Sequence, residues 1–166
     1  KKLPPASAAA EGRDTEVAPP RSTRVAPPVG CAELDFELEL GVIIGHGGRD
    51  IAAARAWEHV MGFTIINDLS ARDLQRKEQA VGLGPTKSKD FATAVGPWLV
   101  TRDAVADRIG GEKLTLEMCA RVNGRELSRG NVARLYHSIP RLVAQASLDA
   151  ELFPGDLIGT GTVGTG

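Results

Sequence analysis

The sequence predicts an α+β fold, mainly antiparallel sheet with short peripheral helices. Two observations carry this. Runs of strand length, alternating or wholly apolar, outnumber stretches at helical spacing. Two hairpin-like turns, Asn123-Gly124 and Phe153-Pro154-Gly155-Asp156, fall between such runs. The 166 residues suit one domain. At that size roughly 68–70% of the unfolded surface is buried, so the core needs no staples.

Residues 1–30 hold six of the ten prolines and no aromatic residue, and read as an irregular arm; the domain proper is expected over 31–166. From Phe36 to Ile44 the run FELELGVII alternates and then turns fully apolar, a strand entering a core. Gly45-His46-Gly47-Gly48 is a turn, and Asp50 is placed to cap a helix reaching His59. Val60 to Ile66 reads as a second buried strand. Ser70 to Lys77 reads as a short helix, with Ser70 as cap and Asp73 at the capping-box position. Gly82 to Asp90 is a loop, Val95 to Thr101 a strand and Ala104 to Ile109 a short helix. Leu114 to Val122 alternates into Asn123-Gly124, which favours a type I′ hairpin with Arg125–Leu127. Val132, Leu135, Ile139, Leu142, Val143 and Ala146 keep helical spacing, and Pro140 either kinks that helix or starts it. Leu157–Gly161 is the last strand. It runs into GTGTVGTG, and a chain stopping in such a run is expected to be a segment of a longer protein, incomplete at its C-terminal end.

Composition excludes several classes. A net charge of −1 argues against a general nucleic-acid binder, which needs a basic excess. No apolar run approaches the ~20 residues of a membrane span, and Lys1 to Glu11 hold no apolar signal core. Cys31 and Cys119 make neither a disulfide framework nor a metal spacing, so a reduced, cytoplasmic setting is expected.

Three groups of residues can carry chemistry. In a strand, Glu37 and Glu39 leave the same face about 6.5–7 Å apart. Buried there, they would repel by roughly 2–3 kcal/mol at an effective dielectric near 20. A cation removes that penalty; the plain alternative is a solvated acidic face. Asp68 ends the apolar run Phe63–Ile66 and is either a third carboxylate for the same site or a cap for the next helix. Two carboxylates from one strand and one from another suit a hard ion such as Mg²⁺, Mn²⁺ or Ca²⁺. Lys87 and Lys89 lie in the Gly/Pro loop, where a lysine either donates to a developing oxyanion or is simply solvated. His46, His59 and His137 form no ligand or triad spacing. The threonines of the terminal run offer hydroxyls to an anionic or carbonyl ligand.

Together the segments DFELELG at Asp35–Gly41, FTIINDLSARDLQ at Phe63–Gln75, GPTKSKDFATAVGPWLVT at Gly84–Thr101 and FPGDLIGTGTVGTG at Phe153–Gly166 resemble the fumarylacetoacetate hydrolase family. The resemblance implies a mixed β-sandwich roll, usually a homodimer, with Glu37, Glu39 and Asp68 as metal ligands. It places Arg72 and Gln75 facing the substrate. The family's lysine falls on Lys89, counting back from Gly96-Pro97-Trp98; the Lys-Ser pattern of some relatives points to Lys87. Thr162 matches a residue that binds the substrate carboxylate, and Thr93 one near the metal. The implied activity is Mg²⁺-dependent hydrolysis (Mn²⁺ or Ca²⁺ alternatively) of a carbon–carbon bond in a small acylpyruvate or β-diketo acid, through an enolate held on the ion. Decarboxylases, isomerases and hydratases of related 2-oxo acids share the scaffold. The family's acid/base histidine has no counterpart in the Pro-rich arm, and Glu11 and Glu16 lack its context; a dimeric binding module without the chemistry is therefore a further alternative. A tyrosine of some members falls near Gln79.

Overall fold

The computed structural model of the chain describes residues 24–164. The expectations for residues 1–23, Glu11 and Glu16 among them, and for the final Thr165-Gly166, lie outside the described residues. Residues 24–33 carry no helix or strand.

The centre is one antiparallel sheet. Strand β1 (Leu38–Ile44) is seven residues long and β2 (Val60–Asp68) nine. Helix α1 (Arg72–Ala80) follows, then the short strands β3 (Thr93–Val95) and β4 (Val100–Thr101). A hairpin of β5 (Glu117–Val122) and β6 (Arg125–Asn131), helix α2 (Ile139–Ala146) and strand β7 (Leu157–Thr162) complete the order. The sheet runs β7-β1-β2-β3, with β4 also on β2, and every pairing is antiparallel. The fold is mixed, mostly strands with a few short helices, as the sequence predicts.

Alternation on β1 decides where the core lies. Leu38, Leu40, Val42 and Ile44 all point into it and meet Phe63, Leu114, Val143 and Val163 among others. Fully burying side chains of this size contributes roughly 1.5–3 kcal/mol each. Helix α2 closes the core with Ile139 and Val143. Asn123 and Gly124 both take positive φ, 51° and 80°, as the type I′ turn requires.

Several local expectations are corrected. Asp50 caps nothing: its backbone is left-handed at φ 53°, its carboxylate accepts from Asp149 N, and the 3₁₀ turn that follows starts at Ala53. Ser70 and Asp73 make no capping box. Ser70-Ala71 pair as a bridge with Leu34-Asp35, so the helix begins only at Arg72. Ser70 Oγ donates to Asp68 O, while Asp73 accepts from Ala32 N. The strand expected over Val95–Thr101 is two strands, split at the cis Gly96–Pro97 bond, and both parts lie along β2. The helix expected over Ala104 to Ile109 is part of a 3₁₀ stretch, Arg102–Arg108, and Ile109 already begins a short strand. The alternation from Leu114 to Val122 is broken into Lys113–Leu114 and β5. The helical spacing from Val132 is also interrupted: Val132–Arg134 is a 3₁₀ turn capped by Asn131, and Pro140 opens α2, where its missing N–H costs nothing.

Candidate metal centre

Register on the sheet assembles the site. Leu38 pairs with Asn67 and Glu39 with Ile66, so Glu37 stands opposite Asp68, whose N–H donates to Glu37 O at 3.2 Å. Thr93 pairs with Asp68 on the other side, and Thr162 pairs with Glu39. The carboxylates of Glu37, Glu39 and Asp68 thus share one face, each offering an oxygen, all within 4.8 Å of one another. Glu39 is the buried member at 6% exposure. Its bed is built by backbone. Gly159 leaves room for it, since a Cβ there would stand 2.6 Å from Glu39 Oε2. A bulge after Gly159 turns Gly161 N toward the same oxygen, 3.3 Å away.

Lys89 and Lys87 separate clearly. Lys89 Nζ lies 2.8 Å from Glu37 Oε2 and 2.9 Å from Asp68 Oδ2, with its side chain 15% exposed. Lys87 is 84% exposed and reaches only Asp90. Arg72 braces Glu37 from the helix: Nη1 is 2.7 Å from Glu37 Oε1 and 3.0 Å from Gln75 Oε1, and Nε is 2.8 Å from Asp35. With these bonds made, Arg72 holds the Glu37 carboxylate in place, and Gln75 is oriented by it. His59 lies at the far end of β2 from Asp68, roughly 30 Å by strand rise, and His46 packs against it. His137 packs on Tyr136.

The charges do not balance. Among the described residues, Glu37, Glu39, Asp68 and Asp35 face only Lys89 and Arg72, a formal deficit of two positive charges. The ionisation states show the strain. Burial pushes the Glu39 carboxyl up to about 7, and the Asp68 and Glu37 charges push the same way. Burial works against the Glu37 charge too, but Lys89 and Arg72 outweigh it and hold that carboxyl below its usual range. An all-oxygen donor set with two uncompensated negative charges fits a hard divalent cation, so the residues present suit the ion that the resemblance implies.

Sequence reasoning missed three residues of this arrangement. Asp35 anchors Arg72, and Asn67 Oδ1 accepts from Glu37 N at 3.3 Å. Glu78 binds the loop that carries Lys89. Glu78 lies three residues beyond Gln75, so helical phase alone would have put it beside that residue.

A sheet whose face gathers three carboxylates around a buried lysine ammonium, at the end of a long central strand, defines an α+β protein with a candidate oxygen-donor metal site. The model of the fumarylacetoacetate (FAA) hydrolase C-terminal domain matches residues 4–166, and the chain belongs to that family. It is 39% identical over 135 residues to the human protein named oxaloacetate tautomerase FAHD2A, mitochondrial, covering 81% of this chain and 41% of that one. Among solved structures it resembles a fumarylpyruvate hydrolase from Pseudomonas aeruginosa in complex with Mn²⁺ and pyruvate (TM-score 0.70, 30% identity, 83% of this chain and 57% of that one). It also resembles a 5-carboxymethyl-2-hydroxymuconate delta-isomerase from Mycobacterium smegmatis (TM-score 0.66, 36% identity, 82% and 50%). The chain spans less than half the length of the curated relatives it matches. Among the described residues no helix is long and apolar enough to cross a membrane.

Proposed function

We propose that this chain is the catalytic domain of a divalent-metal-dependent enzyme that stabilises the enolate of a small 2-oxo acid. The observation that carries this reading is Lys89 Nζ lying between Glu37 and Asp68, beside a buried and proton-hungry Glu39. Glu37, Glu39 and Asp68 would hold the ion, and Mg²⁺ or Mn²⁺ suits their oxygens. Bound there, it would act as a Lewis acid toward the substrate's oxygens. Lys89 donates to the oxygen that turns negative when the carbon beside the carbonyl loses a proton or a carbon substituent. Arg72 keeps Glu37 aimed and Gln75 oriented. Thr162, across from Glu39, offers its hydroxyl to the substrate carboxylate.

Keto–enol tautomerisation asks of this set only that it stabilise the enolate, with solvent water carrying the proton between carbon and oxygen. Hydrolysis of a carbon–carbon bond in an acylpyruvate needs in addition a base for water, and no histidine among the described residues lies on the site. The neighbours' names span tautomerase, hydrolase and isomerase, which supports the shared enolate step rather than one outcome. A homodimer belongs to the same proposal, with exposed Ile65, Val95, Trp98 and Leu99 as its apolar surface, as does a reducing compartment for the free Cys31 and Cys119. The test is to load the full-length protein with Mn²⁺ and follow both enol-to-keto conversion of oxaloacetate and cleavage of an acylpyruvate panel. Acceleration of either supports the enolate reading and chooses the reaction; acceleration of neither overturns it.

A further inference from the structure

We propose that Glu78 is the positioning residue for Lys89: its carboxylate clamps the loop Thr86–Asp90 so that the ammonium is delivered to the carboxylate cluster. Each Glu78 oxygen takes one backbone N–H and one hydroxyl. Oε2 accepts from Thr86 N at 3.0 Å and Ser88 Oγ at 2.5 Å; Oε1 accepts from Thr86 Oγ1 at 2.9 Å and Ser88 N at 3.2 Å. Four donors converge on one side chain, and Ser88 beneath it is fully buried. The loop is then folded on itself, with Lys89 N and Asp90 N both donating to Thr86 O. Ser88 O accepts from Ala71 N, which ties the loop to the start of α1. Lys89 follows directly from this pinned serine. The Ser88 hydroxyl and the Thr86 N–H hold the Glu78 carboxyl down at about 2, so it stays ionised through the neutral range.

The arrangement explains why adjacent lysines behave differently. Lys87 sits between the two clamped residues and points to solvent; Lys89 is the first residue past the clamp and turns inward. Without Glu78, four loop donors lose their acceptor, and Lys89 keeps only its two ion pairs, the turn onto Thr86 O and the tie from Ser88 O to Ala71 N. The metal cluster itself stands on β1 and β2 and does not touch Glu78. Lys89 should therefore be displaced while the ion site survives. Glutamine is the informative replacement. Its amide turns one acceptor oxygen into a donor facing a backbone N–H, so one backbone bond is necessarily lost.

The inference rests on the enolate-stabilising role given to Lys89, and two readouts keep the two apart. The first needs neither metal nor substrate: competitive acetylation of the full-length protein, with Lys89 labelling measured relative to Lys87 by peptide mass spectrometry. Glu78→Gln should raise the ratio several-fold, and Ser88→Ala, the milder variant, should raise it less. The second is binding of oxalate, which has the shape and charge of a pyruvate enolate, to Mn²⁺-loaded protein. Glu78→Gln should weaken oxalate roughly tenfold, the scale of one misplaced charge-assisted hydrogen bond, without weakening Mn²⁺ itself. Combined with Lys89→Met it should add nothing, the mark of two residues acting through one group. An unchanged labelling ratio in both variants, a rise shared by every lysine, or additive effects in the double variant would each overturn the clamp. If labelling responds while wild-type protein ignores oxalate, the clamp stands and the enolate reading falls.

Discussion

Strand β1 has two faces made of alternating residues, and they are built on opposite terms. Leu38, Leu40, Val42 and Ile44 point into the apolar core. Glu37 and Glu39, one residue out of phase, point at Asp68 and at each other with too few cations to neutralise them. The first face supplies stability. The second consumes some of it, and such perturbed groups cluster at binding and catalytic sites. The comparison also assigns a task to the core: Leu38 and Leu40 fix the register that sets Glu37 opposite Asp68, since a slip of one residue would send both carboxylates into the apolar side.

The strongest way to break this comparison is to remove the charges. Alanine at Glu37, Glu39 or Asp68 should abolish Mn²⁺ binding, read by calorimetry, and turnover with it, while the fold survives. Retained binding in any of the three would show that the ion sits elsewhere. Next in size is Lys89→Met, expected to lower kcat by roughly 10²–10³, the scale of a lost oxyanion donor. Lys87→Met, on the solvated side of the same loop, should stay within a few-fold; the reverse ranking would mean that Lys87 carries the role. On the opposite face, Ile44→Ala should lower stability by about 2–5 kcal/mol in chemical denaturation yet leave Mn²⁺ affinity almost untouched.

How far the sequence alone reaches differs between the faces in the same way. The core face was legible because alternation is a local signal: Leu38 and Leu40 follow from FELEL directly. Glu37 and Glu39 could be put on one face for the same reason, but whether that face was solvated depended on β7 folding back over Glu39, and no local pattern reports a contact between residues so distant in the chain. Asp68 and Lys89 were open candidates from the residues alone, and the resemblance decided between their alternatives. The caps failed for a related reason. Ser70 looks like a helix cap in isolation, yet Leu34-Asp35 pairs with Ser70-Ala71 and pulls it into a strand bridge. Glu78 was overlooked because its partners, Thr86 and Ser88, sit in a loop whose shape only the structure shows.

The smallest expected effect is the pH dependence, and it separates the faces without changing their shape. Glu39 is a carboxyl raised in the folded chain from 4.5 to about 7, mainly by burial. An acid with a raised folded value holds its proton more tightly when folded than when unfolded. Its contribution therefore favours the fold below 4.5 and is withdrawn as pH climbs from there to about 7. Glu37 runs the other way: its lowered value gives stability above 4.5 that disappears only as pH falls further. The two windows do not overlap. In metal-free protein, stability should thus slope downward between 4.5 and about 7, and Glu39→Gln should flatten that slope because glutamine cannot ionise. Added Mn²⁺ should do the same for wild type, since the ion takes the place of the proton. Below about 7 its affinity should consequently fall by about tenfold per pH unit, one proton being displaced per ion bound. Urea titrations at several pH values, with and without Mn²⁺, read all three. A metal-free stability that rises across this window in wild type and in Glu39→Gln alike would show that the Glu39 face carries no strain.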